Sequence, residues 1–211
     1  MPSKSIDINA ALSFGWQTTL KNWTFLLPLY FIIIVISGVL GSLSHDNGRL
    51  GALLITVFAL IVAANIYHVT VMYADGKAAT RSDLWTLPIE RLLRYVGSEI
   101  LIYILIGIGF GFLFVPGAYL ALRFSQVKYL VIEQGSGVWQ ALDESGRLTQ
   151  GLLWSLLGLY VVEFGIIVAG LLFFMIGAFI AIPVVYLANA HVYRQLTGSV
   201  PAAPTESVLS L

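Results

Sequence analysis

Apolar residues in this chain gather into long blocks separated by short polar stretches. A helix crossing a hydrocarbon core ~30 Å thick needs roughly 20 apolar residues at ~1.5 Å each. Residues 24–43 and 50–74 meet that requirement, and only the polar link Ser44–Arg49 parts them, which predicts a helical hairpin. Residues 96–114 predict a third span. Pro116-Gly117 is expected to turn the chain into residues 118–132, a short and unusually polar fourth span. Residues 151–188 are nearly uninterrupted apolar sequence, too long for one crossing, and predict two spans folded back near Phe173–Gly177. The expected fold is therefore all-α, a polytopic membrane bundle of about six transmembrane helices.

Three segments between the spans have helical rather than continuous apolar spacing. Ile8, Leu12, Trp16 and Leu20 recur every fourth residue. Trp85, Ile89, Leu92, Leu93 and Val96 follow a one-sided helical pattern, and Val138, Leu142, Ser145 and Leu148 give a weaker one. Each predicts an amphipathic helix. Two placements stay open: in the membrane interface plane, or packed as cytoplasmic caps on the bundle.

An offset of 131 aligns Ala10, Gly15, Thr18, Trp23 and Leu26 with Ala141, Gly146, Thr149, Trp154 and Leu157. Ala64-Asn65-x-x-His68 is likewise echoed by Ala188-Asn189-x-His191. The chain therefore reads as three repeat-like units, 5–75, 81–134 and 137–196, each an amphipathic helix followed by a transmembrane hairpin. Together they make one membrane domain, 1–196, with a short flexible tail from 197 to 211. Units that begin and end on one side share orientation, as parallel repeats do.

Charge changes the picture in two ways. Only 10% of residues are charged, against about 25% in soluble domains, too few to cover a conventional core. Hydrocarbon must be the outer solvent. Placing the N-terminus, the loop around 75–95, the 128–150 region and the C-terminus on one side puts nine of the 11 Lys and Arg residues there. The positive-inside rule makes that side cytoplasmic, and the location a cell (inner) membrane. Formal net charge is zero, which gives no basic excess for nucleic acid. There is no cysteine, so disulfides, thiolate metal sites and a Cys nucleophile are excluded. The polar stretch from Ser5 to Asn22 before the first apolar run argues against a signal peptide.

Several blocks carry a family resemblance: Pro116-Gly117-Ala118-Tyr119-Leu120-Ala121-Leu122-Arg123-Phe124, then Ala141-Leu142-Asp143-Glu144-Ser145-Gly146-Arg147-Leu148-Thr149-Gln150-Gly151, and His191-Val192-Tyr193-Arg194-Gln195-Leu196. Together they resemble the bacterial glycerophosphoryl diester phosphodiesterase membrane-domain type and related uncharacterised six-span families. The resemblance covers the C-terminal half, and the N-terminal half in layout. In that family the phosphodiesterase chemistry belongs to a separate soluble barrel with His-Arg and Glu-x-Asp type motifs. No His-Arg dipeptide occurs here, so the resemblance implies a membrane module rather than the activity.

Ionisable groups inside a bilayer are costly and are usually functional or structurally paired. Arg123 and Glu163 are reckoned at similar depths and are expected to face each other, as a polar relay or, the favoured reading, as an ion pair that fixes helix register. Glu99 and Lys128, on hairpin partners, are expected to pair on the cytoplasmic side. His68 and His191, with Asn65 and Asn189 beside them, read as interfacial polar residues, since two histidines without a carboxylate cluster fall short of a metal site. His45 is expected in an exposed loop. Gly107 and Gly111 form a Gly-x-x-x-Gly face suited to close helix packing, within the chain by preference over a dimer contact. Pro28 and Pro183 are expected to kink the first and last spans, and the sequon at Asn22 is discounted because it lies at the cytoplasmic edge. No catalytic constellation, cofactor or metal site is visible. The expected function is a non-enzymatic membrane module that binds lipid or a partner, another membrane protein or a second copy. The alternative is a small transporter or channel using Arg123 and Glu163.

Overall fold

A computed structural model of the protein describes residues 5–44, 48–172 and 176–199, and every regular element among them is helical. The first helix, α1 (Ile8–Lys21), starts at Asp7, whose carboxylate accepts the Ala10 N–H at 2.9 Å. It stops at Asn22, whose side chain and backbone N–H both donate to the Thr18 carbonyl. There the chain turns by 95° into α2 (Trp23–Ser44), so α1 lies across the direction of the helix that follows it. The face of α1 that docks onto the bundle is Ala11, Gly15 and Thr19. A Cβ on Gly15 would come within 2.4 Å of the Val184 carbonyl, so the helix rests directly on backbone. The predicted stripe lies beside that face, and its later members Trp16 and Leu20 are exposed.

After α3 (Gly48–Ala74) the chain passes a short 3₁₀ turn, Arg81–Trp85, and enters α4 (Ile89–Phe112). Asp83 closes the turn by accepting the Thr80 hydroxyl and N–H, at 2.5 and 2.7 Å. Those bonds, side chain first and backbone second, hold its carboxyl below the ordinary carboxylate value. The separate amphipathic helix predicted from Trp85 to Val96 is not present: it is merged into the start of α4. Between Ile89 and Phe112 there is no proline, and an isolated glycine such as Gly97 costs only ~1 kcal/mol in a helix, so the helix runs on unbroken.

Leu113 is extended (φ −165°, ψ 157°) and reverses the chain into α5 (Phe114–Arg123). The turn therefore lies three residues before the predicted Pro116-Gly117. Pro116 sits in the first turn of α5, where a missing N–H costs nothing. Gly117 is instead a packing residue, its absent side chain leaving room for the Phe110 ring. The predicted fourth span is also discontinuous. It breaks at residues 124–126, resumes as α6 (Val127–Tyr129), and ends as a π-helical turn, Leu130–Gln134. Gly135, at φ +67°, terminates it. Then come α7 (Val138–Leu148), α8 (Leu153–Leu172) and α9 (Ile176–Thr197). Pro28 and Pro183 lie inside continuous helices.

Among the described residues, three helices are long and apolar enough to cross a membrane: Ile55–Ala74, Ile89–Phe112 and Leu153–Leu172. A fourth is added if the bent pair α1 and α2 counts as one span. With its 10 residues, α5 reaches ~15 Å and cannot cross alone. The core is built around the broken span, where Tyr129, Leu130, Val131 and Ile132 are all buried, packed with Tyr95 and Tyr193. Large apolar side chains of α2, α4 and α8 face outward, including Phe31, Ile104 and Phe164. A water-facing surface rarely holds contiguous apolar area of this extent, whereas a hydrocarbon-facing one does. His45 and the inner part of the Ser44–Arg49 link, the centre of the Phe173–Gly177 turn and the tail from 200 lie outside the described residues.

Candidate functional site

The break in the predicted fourth span is held open by α7. Ser145 Oγ donates to the Arg123 carbonyl at 2.8 Å and accepts the Gln126 N–H at 3.3 Å. Thr149 Oγ1 lies 3.2 Å from the same carbonyl. Backbone groups freed where a buried helix breaks must find such partners. The other end is capped from α4, where Arg91 donates to the carbonyls of Ile132 and Glu133 at 3.1 Å each and Arg94 donates to Gly135. Cationic donors on the last carbonyls of a helix are favourable for both hydrogen-bonding and dipole reasons. The predicted face of α7 is thus turned inward, with Leu142 and Ser145 buried. Its behaviour is that of a cap, whereas α1 packs Ile8 and Leu12 on the core and leaves Trp16 and Leu20 outside.

Arg123 and Glu163 do not pair. Arg123 ends α5, donates to the Tyr119 hydroxyl at 2.6 Å, and lies over Gly146 of α7, where a Cβ would stand 3.0 Å from its guanidinium. Arg123 is the last residue of α5, directly before the break, and its side chain lies on α7 rather than on α8. Glu163 is buried in α8, and its Oε1 accepts from Asn189 Nδ2 at 2.8 Å. The base within electrostatic reach of Glu163 is Lys128. Lys128 is equally within reach of Glu99, the partner predicted for it, although no ion pair joins the two. Its one hydrogen bond is to the Tyr67 hydroxyl, at 3.3 Å. The ammonium lies 4.7 Å from the centre of the Tyr67 ring and 5.6 Å from that of Tyr129, which stabilises a cation in an apolar setting.

Aromatic rings complete this interior. Tyr67 contacts Tyr95, Tyr129 and Tyr186, and Tyr129 stacks on Tyr193 at 5.1 Å. The Tyr129 hydroxyl and the Gln126 Oε1 are buried without a hydrogen-bond partner. The arrangement suits a polar relay or the immobilisation of charge. Among the described residues no group of three His, Asp or Glu is placed to hold a metal ion.

Asn65 and Asn189 make the same local bond, each donating to the carbonyl four residues earlier, at 2.8 and 3.0 Å. His191 stacks on Phe14 of α1 at 4.7 Å, and His68 is half-buried. Gly107 and Gly111 are exposed with nothing near them, so they do not pack helices within the chain. Gly109 does: a Cβ there would stand 2.9 Å from Gly117 Cα. The close face of α4 is two residues out of phase with the predicted one.

Two features went unread in the sequence. The first is a buried ion cluster. Nε and Nη2 of Arg194 lie 2.7 and 2.8 Å from the Asp75 carboxylate, and Nη1 lies 2.5 Å from Glu133. It ties the ends of α3, the π turn and α9, and the only sequence signal was one charge closing each of three apolar runs. The second is a groove of about 660 Å³ between α1, α8 and α9, lined by Leu12, Ala169, Gly170, Ile180 and Val184 among others. Ser13 and the Trp16 indole supply its only polar side-chain atoms.

Comparison of the chain with protein-family models, with curated proteins and with solved structures finds no match in any of the three.

Proposed function

We propose that this protein is a non-enzymatic, multi-pass module of a bacterial inner membrane that binds lipid, with one acyl chain lying in the groove between α1, α8 and α9. The observation that carries the reading is the groove itself. It opens beside a helix that runs across the following span, and its lining is almost wholly apolar. An apolar groove open to hydrocarbon is filled by an acyl chain in preference to water, because its lining offers water almost no hydrogen bonds. In this reading α2, α3, α4, the α5–α6 segment, α8 and α9 are six membrane-embedded segments in three units, with both termini cytoplasmic. All five tryptophans of the chain are exposed. In this topology all five fall on the cytoplasmic side, which suits an interfacial aromatic belt.

The test is lipid retention. Purified gently in detergent, the wild-type protein is expected to keep about one phospholipid per chain in native mass spectrometry. Ala169→Trp, which fills the groove from an exposed position, is expected to lose that lipid while unfolding at the same temperature. Equal retention by the variant, or no retained lipid in the wild type, contradicts the reading.

A second reading, a small transporter or channel, is favoured by one observation: Lys128 lies within electrostatic reach of two interior carboxylates beside a broken span, the setting in which transporters place their sites. Ion or proton flux in proteoliposomes that disappears in Glu163→Gln and Lys128→Met would establish it. Background flux in the wild type ends it.

A further inference from the structure

The α4–α5 hairpin ends in four consecutive large apolar residues. Phe112, Leu113, Phe114 and Val115 are 80, 70, 75 and 74% exposed. From residue 104 to residue 118 no side chain is charged or forms hydrogen bonds. In water this tip would be an apolar patch with nothing to cover it. Its depth follows from helix rise. Arg94, the last basic residue of α4, precedes Phe112 by 18 residues, about 27 Å, which falls short of a core ~30 Å thick. The turn is also economical with backbone polar groups. It takes one extended residue, Leu113, whose N–H returns to the Gly109 carbonyl at 3.1 Å. Pro116 removes one of the N–H groups that the start of α5 would otherwise leave unpaired. Such economy matters where no water can reach, because each unpaired group costs several kcal/mol in hydrocarbon.

We infer that this hairpin does not surface on the far side of the membrane: its tip is solvated by the acyl chains of the far leaflet. The α2–α3 link, which holds Ser44, Asp46, Asn47 and Arg49, is by contrast polar enough to enter water. The inference rests on the membrane-embedded reading, and the controls separate the two.

The chain has no cysteine, so single nitroxides can be placed directly in the full-length protein. Leu113→Cys probes the tip, Phe164→Cys an outward position midway along α8, and Thr86→Cys an exposed residue before α4. In lipid nanodiscs, power saturation compares collisions with oxygen and with a polar nickel chelate. The oxygen-to-nickel ratio at Leu113 is expected to match that at Phe164 and to exceed that at Thr86 by about tenfold, since hydrocarbon excludes the polar complex. Val115→Cys repeats the measurement if Leu113→Cys folds poorly. A ratio at the tip equal to that at Thr86 overturns the inference. So does a tip closed to both reagents, which would mean that a second copy or another protein covers it. A low ratio at Phe164 as well would overturn the membrane reading itself.

Discussion

Replacing Arg194 with Met removes the cation from the cluster with Asp75 and Glu133 while keeping an apolar stem of similar length. Its side chain is only 6% exposed, and it makes three contacts of 2.5–2.8 Å with the two carboxylates. Removing one partner from a fully buried ion pair costs about 3–5 kcal/mol. Here the acids keep 29 and 28% of their surface, so water partly re-solvates them, and the expected loss falls to about 2–3 kcal/mol. At ~2–4 °C per kcal/mol for a chain of this size, the unfolding midpoint should drop by about 5–10 °C. Thermal unfolding in one detergent, read by circular dichroism, measures the shift. Adding Asp75→Asn and Glu133→Gln should recover at least half of it, because the penalty lies in the uncompensated acids. A shift below 1 °C for Arg194→Met, or no recovery in the triple variant, would refute the reasoning.

Three further outcomes follow from single contacts. Gly109→Leu should destabilise by about 1–3 kcal/mol through overpacking against Gly117, and Gly107→Leu by less than about 0.5 kcal/mol, both read as unfolding midpoints. Ser145→Ala, which frees the Arg123 carbonyl and the Gln126 N–H at the helix break, should cost about 1–3 kcal/mol in the same assay. Asp83 has a folded pKa below its ordinary value of 3.8. Its contribution to the turn is therefore present at neutral pH and lost as pH falls below that value. Hydrogen exchange should show protection of the Thr80 amide at pH 6 disappearing toward pH 2, and the same loss at neutral pH in Asp83→Asn.

What could be read from the sequence was whatever depends on local pattern. Long apolar runs marked α2, α3, α4, α8 and α9, since few polar residues interrupt them, and α1 and α7 stood out through their spacing. The break after α1 lies at a residue able to cap a helix, Asn22. The break at 124–126 carries no such mark: Phe124-Ser125-Gln126 includes neither glycine nor proline, and Ser145 and Thr149, about 20 residues further on, supply its bonds. Because that break was hidden, Arg123 was matched to Glu163 rather than to α7, and Lys128 was not matched to Glu163. The glycine face of α4 failed for a related reason. Gly107, Gly109 and Gly111 offer two registers, and only the position of Gly117 across the turn selects between them. Arg194 and Asp75, 119 residues apart, meet only once α3 and α9 are packed.

Everything above depends on hydrocarbon surrounding the outward faces of α2, α4 and α8. Alkaline carbonate extraction of membranes containing the full-length protein, followed by sedimentation, tests this most directly. All of the protein is expected in the pellet, leaving it only on addition of detergent. Its recovery as monodisperse protein in the detergent-free supernatant would contradict the membrane assignment.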